Sequence, residues 1–193
     1  MKKRLKLTAF ACVLGIMTGV YSAVTPSSRM VAKIERTDYY EVSGKTLPEI
    51  KDNMKTSRPK DYDAWTDWYV NWNYEFYMAK DRCTLRSFDV SLAIRYTYPF
   101  LIDADKKSKK IKERWEEYIE NLQTHETGHT AIALDAAYAM LSKIQVDTMQ
   151  DENREKLKAK IDKICNEIIE QHLKKEIEYD KKTDHGRTQG ARL

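Results

Sequence analysis

The sequence predicts an α+β fold, in which a small antiparallel sheet of about three strands packs against a long helix and a C-terminal helix. Two neighbouring segments in the first half of the chain alternate apolar and polar residues, which is typical of half-buried strands. Two long segments in the second half repeat apolar residues every three to four positions, which is typical of amphipathic helices. A chain of 193 residues with 41% hydrophobic residues has room for one domain core.

Residues 1–23 have the pattern of a secretory signal peptide. A basic start, MKKRLK, precedes an apolar run of about 14 residues, and small residues follow at Ser22 and Ala23. The apolar run is shorter than the roughly 20 residues that a membrane-spanning helix needs. We therefore expect cleavage of this leader, export to the periplasm or the medium, no stable membrane span afterwards, and a single domain over residues 24–193.

The charge balance argues against nucleic acid as a partner. The formal net charge of +4 comes from four basic residues of the leader, and without them 30 basic residues face 30 acidic ones. Such a chain lacks the excess of positive charge that nucleic-acid-binding proteins use. It also contains no glycine-rich phosphate-binding motif, so a nucleotide site is not expected. Composition indicates no oligomeric state.

The strands are predicted from short patterns in the first half. Residues 38–44 resemble a short strand, and Thr46 is a good N-cap for a short helix after it. From Trp65 the alternation of apolar and polar residues predicts a strand rich in aromatic core residues. A second alternating run contains Phe88 and ends at Pro99, so the two runs are expected to pair as an antiparallel hairpin.

The helices are predicted from the apolar spacing of the second half. One long helix, or two with a kink, is expected from beyond Asp103 to about Val146, and another covers about 153–179. The final residues, 180–193, are polar and contain glycine. By composition alone they are typical of a frayed terminus.

The first long helix contains the sequence His-Glu-Thr-Gly-His, an HExxH motif that begins at His125. Residues four apart on a helix are separated by about 40°, so His125 and His129 can bind one Zn²⁺ while Glu126 reaches a metal-bound water. Zinc lowers the pKa of such a water towards about 7, and the carboxylate takes its proton as the water attacks a carbonyl. The motif predicts one zinc ion per chain and hydrolysis of a peptide or protein substrate. In the alternative interpretation, the two histidines are hydrogen-bonded structural residues.

A catalytic zinc ion needs a third protein ligand, and several residues are candidates. Asp135 lies six residues after the second histidine, but an unbroken helix would carry it about 240° away from that histidine. His172, in an amphipathic helix, is more typical of a structural histidine. His185, in the polar tail, could be the missing ligand, with Asp180 or Asp184 orienting its imidazole.

Two other residues near the motif are informative. Gly128 is costly within a helix, which indicates that another group approaches the helix closely at this point. Tyr179 is a candidate donor of a hydrogen bond to the developing oxyanion, with packing as its alternative role.

The cysteine count predicts a disulfide. Cys12 leaves with the leader, and Cys83 and Cys165 remain as an even pair in an exported chain. A disulfide between them is the expected arrangement, and two buried free thiols are the alternative.

These motifs resemble those of the DUF922 family, bacterial exported proteins described as secreted zinc-dependent proteases. The resemblance includes YYEVSGKT at 39–46, the tryptophan-rich strand, HETGH at 125–129 and YDKKTDHG at 179–186. It implies a zincin-like fold and a metallopeptidase-like site, with both motif histidines as ligands, the motif glutamate as the base and His185 as the third ligand. Two alternatives stay open: an exported binding module that uses zinc to fasten its tail, and a zinc amidase that acts on cell-wall crosslinks.

Overall fold

The structure, a computed structural model, describes residues 27–193 and confirms the predicted α+β class. The elements, in chain order, are β1 (Ser27–Val42), α1 (Leu47–Ser57), β2 (Trp65–Ala79), β3 (Arg82–Leu101), α2 (Lys109–Lys143), β4 (Gln150–Asp151) and α3 (Arg154–Thr183). The leader predicted at residues 1–23 lies outside the described residues.

The sheet is built around the predicted hairpin. β2 and β3 are antiparallel and pair over most of their length, with Ala79 opposite Arg82. The two residues between them turn the chain, and Lys80 takes a left-handed conformation with φ of 59°. β3 is the central strand in the order β1-β3-β2, and the two-residue β4 pairs with the beginning of β3.

β1 differs from the expectation of a short strand in an antiparallel sheet. It begins at Ser27 and runs parallel to β3, so the sheet is mixed. The chain reverses through α1 between β1 and β2, and the hairpin then places β3 between these two strands. β3 therefore runs in the same direction as β1. Residues 33–37 are all exposed, which is why no alternation of apolar and polar residues marked this edge strand in the sequence.

Both long helices pack on one face of the sheet. The larger hydrophobic cluster joins apolar side chains of β3 to buried alanines of α2, such as Ala133 and Ala137, and to Leu157 of α3. The aromatic stripe of β2 packs against this cluster as predicted, and the indole of Trp72 also donates a hydrogen bond to Asp162 of α3 over 2.9 Å. The packing fixes α2 and α3 side by side above the sheet.

α2 lies within its predicted range as one helix without a kink, and α3 is slightly longer than predicted. α2 has 35 residues without a break, and the side chain of Asn153 caps α3 by accepting from the backbone N–H of Lys156. α3 ends at Thr183, four residues beyond its predicted end. Within the part of the chain that the structure describes, neither these helices nor α1 combines the length and the apolar character needed to cross a membrane.

The end of the chain, residues 184–193, called here the tail, is folded rather than frayed. It forms a short 3-10 turn at Arg187–Gln189 and then lies along α2, where Asn121 Nδ2 donates a hydrogen bond to the carbonyl oxygen of Gly190 over 3.1 Å. Ala191 is buried against the smaller hydrophobic cluster. The bond to Asn121 and the burial of Ala191 hold the tail in place, and the sequence alone does not show either contact.

The predicted disulfide is not formed. Cys83 on β3 and Cys165 on α3 are both free and fully buried in the larger hydrophobic cluster. Burial raises the pKa of the Cys165 thiol to about 12, so this group stays protonated and behaves as a small apolar side chain. The alternative of two buried thiols is the one that the structure shows.

Candidate metal centre

The HExxH motif and the last helix bring three potential metal ligands together. They are His125 and His129 on α2 and Asp180 on α3, each with one ligand atom within 4.8 Å of the others. The two imidazole rings are 4.9 Å apart and nearly perpendicular, with both histidines buried and Asp180 partly buried. Because α2 is unbroken through the motif, its two histidines lie on the same face, as the spacing predicts.

The distances in this cluster suit a small cation. Asp180 Oδ1 lies 3.2 Å from His125 Nε2 and 3.1 Å from His129 Nε2. Tetrahedral zinc, with bonds of about 2.0 Å, would hold neighbouring ligand atoms about 3.3 Å apart. Asp180 Oδ1 is buried, yet neither imidazole is aligned with it as a hydrogen-bond donor. The three atoms therefore fit a metal ion that lies between them.

Hydrogen bonds on the far side of each ring orient the imidazoles. His125 Nδ1 lies 3.0 Å from Gln189 Oε1, and His129 Nδ1 lies 2.5 Å from Glu176 Oε2. Both partner oxygens can only accept, so Nδ1 is the donor in each bond. Each Nε2 atom is then directed at Asp180, the arrangement that supports metal binding by histidine.

Without a metal, His129 and Asp180 favour each other's charged forms. Burial lowers the pKa of His129, but the adjacent carboxylates of Asp180 and Glu176 outweigh burial and raise the value to about 10. Burial has the opposite effect on Asp180, where the nearby imidazole rings of His125 and His129 prevail and hold the carboxyl pKa well below its usual range. Without metal, a proton on His129 therefore occupies the place of a cation.

We expect zinc affinity to fall as the pH falls, because zinc and this proton compete for His129. Below about pH 10 the proton is bound, so the apparent affinity should decrease about tenfold per pH unit between roughly pH 9 and pH 7. Competition with a chelator of known zinc affinity measures this slope. The chelator's own zinc affinity also changes with pH and is corrected for. Equal zinc affinities of the protein at pH 7 and pH 9 after this correction would contradict the proposed competition.

Glu126 lines the same cavity as the three cluster residues. Its side chain is 2% exposed, and its Oε2 atom accepts a hydrogen bond from Thr66 Oγ1 on β2 over 2.7 Å. Burial raises the pKa of this carboxyl, which suits a group that takes and returns a proton. Thr66, which the sequence did not mark, fixes the carboxylate in place.

Tyr179 packs behind the histidines. Its ring is stacked on His125 at 5.1 Å and meets His129 edge-on at 5.0 Å, and its hydroxyl donates to the backbone oxygen of His125 over 3.1 Å. Tyr179 is not among the residues that line the cavity at the cluster. Its contacts match the packing role, rather than the role of an oxyanion donor.

Gly128 provides the space that Tyr179 needs, as the sequence indicated. A Cβ atom at this position would lie 2.1 Å from the Tyr179 hydroxyl oxygen. We expect Gly128→Ala to destabilise the protein by about 1 to 3 kcal/mol through overpacking, although alanine favours helices over glycine by about 1 kcal/mol. Thermal unfolding tests this, with Thr127→Ala on the exposed side of the same turn as the control. A Gly128→Ala variant as stable as the parent would contradict the close contact.

The cluster opens into a cavity of about 440 Å³, called here the metal-site cavity. One wall is formed by residues 58–67, which connect α1 to β2 and begin that strand, and the other by α3 and the tail. Asp63 fixes the first wall, since its carboxylate accepts hydrogen bonds from Arg58 and Tyr118 over 2.8 and 2.7 Å. The cluster therefore lies in the wall of a formed cavity.

His185 lies next to the cluster but outside it. Its half-exposed side chain lines the metal-site cavity, with Nδ1 3.6 Å from the second carboxylate oxygen of Asp180. Asp184 and His185 both take left-handed conformations, so the chain turns sharply after α3. The structure thus groups Asp180, one turn before the end of α3, with the two histidines, and places His185, which the sequence favoured as third ligand, just outside this group.

The other two candidates have structural roles. His172 is buried, with Nδ1 2.7 Å from the backbone oxygen of Ile168 and Nε2 3.0 Å from Asp135 on α2. This pair joins the two helices away from the metal-site cavity, as the geometry of an unbroken helix predicts for Asp135.

Comparison with known proteins supports the resemblance seen in the motifs. The family model of DUF922, described as a bacterial protein of unknown function, matches residues 37–186. This range contains the three cluster residues and Glu126. Comparisons with curated proteins and with solved structures gave no significant match. Since the family model matches most of the length of this chain, the chain belongs to the DUF922 family.

Proposed function

We propose that this protein is an exported zinc-dependent peptidase, in which Glu126 acts as the general base. The observation that carries the proposal is the buried Asp180 oxygen, which faces the Nε2 atoms of His125 and His129 beside an open cavity. The leader predicted at residues 1–23 makes export part of the proposal.

The donor set favours zinc in a catalytic rather than a structural site. Two imidazole nitrogens and one carboxylate oxygen form the three-ligand set typical of catalytic zinc, which keeps a fourth position open. His125, His129 and Asp180 would hold the ion. Zinc bound here would polarise a substrate carbonyl and lower the pKa of water at the open position.

The residues around the cluster can supply the remaining chemistry. Glu126 accepts a proton from the attacking water and returns it to the departing amine, so one carboxylate acts in both steps. Thr66 holds one oxygen of that carboxylate, which leaves the other to meet the water. Burial of Glu126 keeps this proton transfer away from bulk solvent.

The sheet offers a binding surface for an extended peptide. In the described sheet, β2 is hydrogen-bonded to β3 on one side, and its other side is an edge. The first residues of β2, Trp65 to Asp67, line the metal-site cavity, and Thr66 contacts Glu126. A peptide that pairs with this edge through its main chain would place a carbonyl at the cluster.

The alternative of a binding module that uses zinc to fasten its tail fits the structure less well. The three cluster residues lie on α2 and α3, and none of them is among residues 184–193, which follow α3. The tail is held by its own hydrogen bonds, including those from Asn121 to Gly190 and from Arg114 to the Arg192 carbonyl. Zinc is therefore not needed to attach it.

Zinc-dependent cleavage of an unfolded protein tests this proposal. We expect residues 24–193, loaded with one zinc per chain, to cleave a fluorescently labelled casein. A chelator should stop the reaction and one equivalent of zinc should restore it. A fully loaded protein that cleaves neither casein nor a mixed peptide library would contradict the peptidase proposal and favour a non-catalytic role.

A further inference from the structure

The tail of the chain forms the outer wall of the candidate metal centre. Gly186 lies against the ring of His125, where an added Cβ atom would be 3.0 Å from Cγ. Asn121 fixes the tail further along by its bond to Gly190. The family match ends at residue 186, so the turn that carries Gln189 lies beyond the matched range.

The carboxamide of Gln189 connects both aromatic groups behind the centre. Its Oε1 atom is 3.0 Å from His125 Nδ1, and its Nε2 atom donates to the Tyr179 hydroxyl over 3.2 Å. That hydroxyl donates its own hydrogen to the backbone oxygen of His125. The orientation of the amide is therefore set, with its oxygen towards the imidazole.

This arrangement determines the tautomer of His125. Since Gln189 Oε1 can only accept, the imidazole hydrogen lies on Nδ1 and the Nε2 lone pair faces Asp180. Thr183 Oγ1 lies 3.4 Å from the same Nδ1. It can only accept there, because its own hydrogen is donated to the Tyr179 carbonyl. Gln189 makes the shorter of the two contacts.

We propose that Gln189 is a positioning residue of the metal centre, which holds His125 in the tautomer and orientation that present Nε2 to a metal ion. This role rests on the proposed metal site. It makes the tail part of the functional centre, although no tail residue belongs to the ligand cluster.

Two variants separate hydrogen bonding from packing. Gln189→Met keeps the length of the side chain but cannot accept from Nδ1, whereas Gln189→Glu keeps an acceptor at that position. We expect zinc affinity, measured by competition with a chelator, to fall at least about tenfold in Gln189→Met and to stay close to the parent value in Gln189→Glu. Thr188→Ala is the matched control, since Thr188 bonds only to the Thr183 carbonyl among its described side-chain contacts.

A second readout follows the tautomer without any metal. In the metal-free protein labelled with ¹⁵N-histidine, long-range ¹H–¹⁵N spectra should show the Nδ1–H form of His125 in the parent and in Thr188→Ala. The signal should shift towards a tautomer mixture in Gln189→Met. A merely structural role of Gln189 would change the melting temperature without this shift.

The outcomes distinguish the two proposals. Parent-like zinc affinity and an unchanged tautomer in Gln189→Met would overturn the role of Gln189 while leaving the metal site in place. A parent protein that takes up no zinc would overturn the metal site and, with it, the positioning role. The tautomer readout would then still show whether the hydrogen bond itself exists.

Discussion

Replacing Asp180 with alanine should abolish stoichiometric zinc binding, whereas replacing His185 with alanine should leave one zinc per chain. Asp180 Oδ1 faces both Nε2 atoms of the cluster, while His185 only approaches the other oxygen of Asp180. Loss of a ligand should cost more than the 10- to 100-fold in affinity that is typical of residues supporting a ligand. We therefore expect a decrease of more than about 100-fold in Asp180→Ala.

Zinc content after dialysis and competition with a chelator measure this difference. Asp184→Ala is the control, because Asp184 follows α3 and pairs with Arg187 outside the cluster. Far-UV circular dichroism of each variant shows whether α3 is still formed. Retention of zinc by Asp180→Ala together with its loss from His185→Ala would restore the ligand set that the motifs alone favoured.

Replacing Glu126 with glutamine should leave zinc in place and remove hydrolysis. Glutamine keeps the size of the side chain and can still accept the hydrogen bond from Thr66, but it cannot take a proton from water. Loss of a general base costs about 10²- to 10⁴-fold in rate, and the effect should fall on kcat rather than on KM. Cleavage of the casein substrate at saturating concentration measures it.

Glu120→Gln removes the same charge from an exposed position on α2 and is the control for this variant. It should keep both zinc and turnover. If Glu126→Gln bound zinc and turned over at the parent rate, Glu126 would have no role as the base, even with the metal site intact.

The HExxH half of the site could be predicted because one helix contains it. The spacing of His125 and His129 on an uninterrupted helix is enough to place their rings on one face, and local sequence determines that helix. Gly128 similarly indicated a close approach, although only the structure shows that the approaching group is Tyr179.

The third ligand depends on packing between helices, which local sequence does not show. Glu176 and Asp180 are four residues apart, so an extended α3 places both on one face towards α2. The sequence prediction ended this helix at 179 and left Asp180 among the polar residues after it. A helix predicted to continue to Thr183 would have placed Asp180 on the same face as Glu176, and so near the histidines.

The other differences also arise from tertiary structure. β1 is an edge strand whose residues 33–37 are exposed, so no hydrophobic pattern indicates its length or its parallel pairing. The disulfide was inferred from the expected compartment, but Cys83 and Cys165 are used as buried apolar side chains. Both the pairing of β1 and the burial of the two cysteines depend on which elements pack together, and local sequence does not show this.

The most direct test is a crystal structure of the zinc-loaded protein. The metal should be bound by Nε2 of His125, Nε2 of His129 and Oδ1 of Asp180, with its fourth position open to the metal-site cavity. A structure in which these three side chains bind no metal, or in which a fourth protein ligand closes the site, would contradict the account of a catalytic zinc centre.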